Sequence, residues 1–83
     1  MRPLGPTSRH ILLVNGMAKA VGADLSASVA EGDLTQTDYA AMVTRCRGCS
    51  QPGACETLLR SPEGTDETPN YCRNADLLAR LAP

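Results

Sequence analysis

Apolar residues recur at helical spacing from early in the chain. Leu13, Met17 and Val21 fall on one stripe, with Val14 and Ala18 beside them, as in a helix that buries one face. Ser8 stands where an N-cap belongs and Gly22 where a helix stops, so the pattern predicts a first helix over 9–21. Gly16 lies inside it, at a propensity cost of about 1 kcal/mol.

Asp24 is placed to cap a short second helix over 25–31, which Gly32 ends. Thr35 followed by Asp38 approximates a capping box and opens a third helix over 36–45, with Tyr39, Met42 and Val43 on its apolar face. Cys46 then falls at or just past the helix end, and Gly48 allows a sharp turn before Cys49. Pro52 suits the first position of a fourth helix running to Arg60. Residues 61–70 are polar and flanked by prolines, a solvated loop carrying Glu63, Asp66 and Glu67. Asn74 is placed to cap a last helix over 75–81, whose Leu77, Leu78 and Leu81 form one face. No segment alternates as a strand would. The pattern predicts an all-α fold, a small bundle of four to five short helices in one domain over 1–83, with residues 1–7 as a loose arm.

Composition makes that bundle hard to stabilise by burial alone. The apolar share is 42%, but the chain of 83 residues has no Phe and no Trp, and only Tyr39 and Tyr71 are aromatic. Much of the apolar content is Ala, which buries little area. Domains this small commonly need a staple: a disulfide, a metal or a partner subunit. Four cysteines are available, at Cys46, Cys49, Cys55 and Cys72. The N-terminus has no apolar run of signal-peptide length, and no stretch is long enough to span a membrane. These features point to the cytoplasm, where disulfides are rare and clustered cysteines are more often metal ligands. Export by another route would leave three disulfide connectivities open.

The spacing is C-x2-C-x5-C-x16-C. A C-x2-C unit brings two thiolates to one centre across a tight turn, the x5 step reaches a third corner, and the x16 step closes a long loop. Closing long loops removes much unfolded-state entropy, so metal binding here would contribute directly to folding. Zinc accepts four thiolates, but its commoner all-cysteine pattern uses two C-x2-C pairs. A [4Fe–4S] cluster also takes four thiolates and is larger than one ion, which suits three ligands around a loop and one from a distant segment. Thiolate softness serves both. Spacing places the cluster narrowly ahead of zinc.

The stretch from Arg45 to Glu56, with Cys46, Cys49 and Cys55, resembles the last three ligands of the [4Fe–4S] loop of helix-hairpin-helix DNA glycosylases. WhiB-like regulators share that three-cysteine spacing. In both families the remaining cysteine precedes the trio, whereas Cys72 follows it here. The resemblance covers about twelve residues. It implies a ligand geometry for these three cysteines and no DNA-repair function, since 83 residues leave no room for a glycosylase domain. Over the whole chain, the sequence resembles small four-cysteine proteins of alphaproteobacteria, through Arg45-Cys46-Arg47-Gly48-Cys49, Cys55 and Tyr71-Cys72-Arg73-Asn74. Relatives of that kind often carry proline after the last cysteine, where this chain has Arg73. That resemblance implies no particular activity.

Arg45, Arg47 and Arg73 flank three of the cysteines. Four thiolates around zinc or an oxidised cubane leave a charge of about −2, which neighbouring guanidinium groups would offset. Net charge is −1, so the chain lacks the basic field that a nucleic-acid partner would require. The single histidine, His10, is far from the cysteines in sequence and reads as an exposed or half-buried residue of the first helical turn rather than a ligand. No acid–base pair, phosphate loop or second histidine indicates an enzyme. The expected role is a redox or oxygen sensor or an electron carrier, with a protein partner. The alternatives are a structural zinc adaptor, and a dithiol protein using Cys46 and Cys49. The latter lacks the βαβ context that makes C-x-x-C persuasive.

Overall fold

The computed structural model describes residues 4–82, and among them lie five α-helices and no strand. They are α1 (Thr7–Ala20), α2 (Leu25–Ala30), α3 (Gln36–Arg47), α4 (Pro52–Arg60) and α5 (Ala75–Leu81). Local hydrogen bonds explain most of the boundaries. Asp24 accepts from the Ala27 N–H at 3.0 Å and starts α2. Thr35 and Asp38 bond each other's backbone N–H, both at 3.0 Å, completing the capping box that opens α3. Gly22 and Gly32 adopt φ of 84° and 83°, the left-handed conformation that ends the first two helices.

Several expectations need correction. The first helix begins at Thr7 rather than after Ser8, because the Pro6 carbonyl already accepts the His10 N–H at 3.2 Å and Pro6 holds the extended N-cap conformation. The arm expected over residues 1–7 is therefore anchored over its described part. Gly5 donates to the Arg47 carbonyl at 3.1 Å, and Arg47 Nε donates to the Gly5 carbonyl at 2.7 Å. Residues 1–3 of that arm lie outside the described residues. The third helix runs two residues beyond Arg45, so Cys46 sits inside its last turn. Gly48 closes it with N–H bonds to Thr44 and Arg45 at φ −87°, without using glycine's left-handed freedom.

The core forms where α1 packs against α3 and α4. Val14, Met17 and Ala18 from α1 meet Met42 and Val43 from α3, Leu78 from α5, and Ala23 and Leu34 from the connections. Leu77 and Leu81 pack against this cluster, half-buried. Gly16 lets α4 come close: a Cβ there would lie 3.0 Å from Leu59 Cδ1, which explains a residue that otherwise weakens α1. A two-pronged pair between Arg9 and Glu56, one of its bonds at 3.1 Å, also ties α1 to α4.

Asn74 makes no side-chain cap for α5. It is buried, and its amide donates to the Met42 carbonyl at 2.9 Å while its oxygen accepts from Arg45 Nε at 2.7 Å. A buried amide must find partners, and those on α3 compete successfully with the helix's own first turn. The segment 61–70 is irregular and largely exposed around Glu63, Asp66 and Glu67. No helix among the described residues is long and apolar enough to cross a membrane.

Candidate metal centre

Three segments bring the four cysteines to one cavity. Cys46 comes from the last turn of α3, Cys49 from the turn that follows, Cys55 from α4, and Cys72 from the approach to α5. All four are free thiols and half-buried. The cavity is about 30 Å³, more than one water requires. Leu13, Val14 and Met17 of α1 and Leu78 of α5 give it an apolar wall, with Pro52 and Tyr71 on other sides. No Asp or Glu lines it. Among the described residues, no group of three or more His, Cys, Asp or Glu is arranged to hold a single metal ion.

The turn between the thiols is tightly held. The Cys49 N–H bonds the Cys46 carbonyl at 3.0 Å, the reversal that lets a C-x2-C pair face one side. Gln51 directs its backbone N–H to Cys49 Sγ at 3.4 Å, and Cys49 Sγ faces the Tyr71 carbonyl at 3.9 Å. Arg73 lines the cavity and donates to the Gly48 carbonyl at 3.2 Å, clasping the Cys72 segment to the Cys46–Cys49 turn. The other two flanking arginines also make structural bonds: Arg45 to Asn74 and Arg47 to Gly5.

Burial and neighbouring cysteines disfavour ionisation of Cys46, Cys55 and Cys72. Burial pushes Cys46 from 9.0 up to about 11, and the neighbouring Cys55, Cys49 and Cys72 push it the same way. Cys55 also rises to about 11, through burial first and then Cys72 and Cys49. Cys72 is raised by burial, against which the Asn74 backbone N–H acts to lower it. Tyr71 rises too, by burial and by the nearby cysteines. Removing protons from Cys46, Cys55 and Cys72 therefore needs a compensating positive charge nearby.

His10 departs most from its expected place. It is 1% exposed, and its Nδ1 lies 3.3 Å from Cys46 Sγ. Burial lowers its pKa first, the charges of Arg9 and Arg47 next. Sequence separation concealed this neighbour, since 36 residues divide His10 from Cys46. The one available signal was its i, i+3, i+4, i+7 relation to Leu13, Val14 and Met17, which puts it on the buried stripe of α1.

No curated protein and no solved structure matches the chain. A family model does match, over residues 1–83. A chain of four convergent thiols on a five-helix frame thus belongs to a family of unknown function, DUF6455.

Proposed function

We propose that the protein holds a [4Fe–4S] cluster through Cys46, Cys49, Cys55 and Cys72 and serves in the cytoplasm as a redox or oxygen sensor or an electron carrier for a protein partner. The observation that carries this is the gathering of four free thiols from three segments around one cavity without a carboxylate. An all-thiol set suits zinc or an iron–sulfur cluster and is poor for harder cations. Two further features favour the cluster. The four thiols line one cavity together, and a cluster takes four thiolates drawn from separate segments. The Cys49 sulfur also faces the Gln51 N–H and the Cys46 sulfur a His10 ring nitrogen, and donors at such positions stabilise and tune cluster thiolates.

When bound, the cluster supplies one-electron chemistry. The chain's own residues prepare its surroundings. Leu13, Val14, Met17 and Leu78 keep water from one side. Arg73 holds the Cys72 segment against the Cys46–Cys49 turn. Gln51 offers its N–H to Cys49. Purification without oxygen tests the proposal. The expected product is brown, carries iron and sulfide in equal amounts, and bleaches in air. A colourless protein with one zinc per chain would overturn it in favour of a structural zinc module. A metal-free protein that cycles a Cys46–Cys49 disulfide would point instead to a dithiol protein.

A further inference from the structure

His10 is held in place from two sides. The ring is buried at the start of α1, and its Nδ1 stands 3.3 Å from Cys46 Sγ. Above it lies Gly5, where any Cβ would overlap His10 Nε2, so the ring fits only because that residue has no side chain. Gly5 is itself fastened to the last turn of α3 by the paired bonds with Arg47, one residue from Cys46. Together these contacts press one imidazole nitrogen against one sulfur. Burying a polar ring costs free energy unless it is hydrogen-bonded. With Cys46 as a metal-bound thiolate the sulfur could only accept, so the ring would carry its proton on Nδ1.

We infer that His10 is a positioning residue for the centre: its Nδ1–H donates to Cys46 Sγ and raises the reduction potential of the group bound there. This rests on the cluster assignment above. One-electron reduction of a bound cluster would add negative charge that its thiolates share. A donor on a ligand sulfur draws charge away from it and so favours the reduced, more negative state.

The test uses the anaerobically purified full chain, with iron and sulfide measured first and the midpoint potential then taken by dithionite titration. His10→Leu is close to the imidazole in volume and removes the donor. It is expected to disfavour reduction about tenfold, which is 59 mV downward for a one-electron couple. His10→Asn carries an amide nitrogen at the position of Nδ1 and is expected to restore most of the shift, which a purely space-filling role would not predict. A second measurement needs no variant. The chain has a single histidine, so 15N-histidine labels one residue. Pulsed EPR of the dithionite-reduced wild type should show coupling between the electron spin and that nitrogen. An iron-loaded protein with no such coupling, or with both variants at the wild-type potential, overturns this inference and leaves the cluster assignment standing. A protein without iron overturns both.

Discussion

Replacing Asn74 by Ala probes how α5 is docked beside the cysteines. The side chain is 4% exposed and makes two hydrogen bonds to α3, from its amide to the Met42 carbonyl and from Arg45 Nε to its oxygen. The first is buried, and the second involves an exposed arginine, so screening keeps it modest. At roughly 1–1.5 kcal/mol for each bond, the loss is about 2–3 kcal/mol. A chain of this length has a total stability of about 4–12 kcal/mol and an unfolding entropy near 0.17 kcal/mol/K. The melting temperature should therefore fall by roughly 10–18 °C. The assay is far-UV circular dichroism of the metal-free, reduced protein, beside Asn74→Asp as a partial replacement. Aspartate keeps an acceptor for Arg45 but sets a carboxylate oxygen against the Met42 carbonyl, so it should not restore wild-type stability. An Asn74→Ala protein melting within about 2 °C of wild type would refute the view that this amide joins α5 to α3.

Three further outcomes are expected. Cys72→Ser should leave iron bound weakly through Cys46, Cys49 and Cys55, with iron lost on gel filtration and the segment before α5 more open to proteolysis; unchanged iron content and stability would show that Cys72 is not a ligand. The metal-free protein should lose stability in alkali, because Cys46 and Cys55 rise from 9.0 to about 11 on folding. A raised folded value means that the fold favours the neutral thiol, so this contribution is complete below about pH 9 and disappears as pH climbs through about 11. Urea midpoints under reductant at pH 8 and pH 10.5 should differ in that direction, and a flat profile would contradict the packing of the thiols. Gly16→Val should destabilise by roughly 1–3 kcal/mol through overpacking against Leu59, measured by urea unfolding; an unchanged midpoint would mean that α4 shifts freely away from α1.

Sequence alone determined whatever depends on neighbours within about one helical turn. The capping box of Thr35 and Asp38, the Asp24 cap, the glycine stops and the 3.6-residue spacing of apolar positions are local, and they located five helices to within two residues at each end. The cysteine spacing was equally legible, since a C-x2-C turn is a property of four consecutive residues. Only the tertiary structure decided what meets across that frame. His10 reaches Cys46 over 36 residues, Gly5 reaches Arg47 over 42, and Asn74 abandons its own helix for partners on α3. These contacts follow from how α1 lies on α3 and how α5 closes against it, and helix packing angles are not written in any local pattern. A buried polar group satisfies itself with whichever partner that packing brings near. For the same reason, the four cysteines announced a candidate centre in the sequence, while the histidine beside Cys46 emerged only when α1 was seen laid across α3.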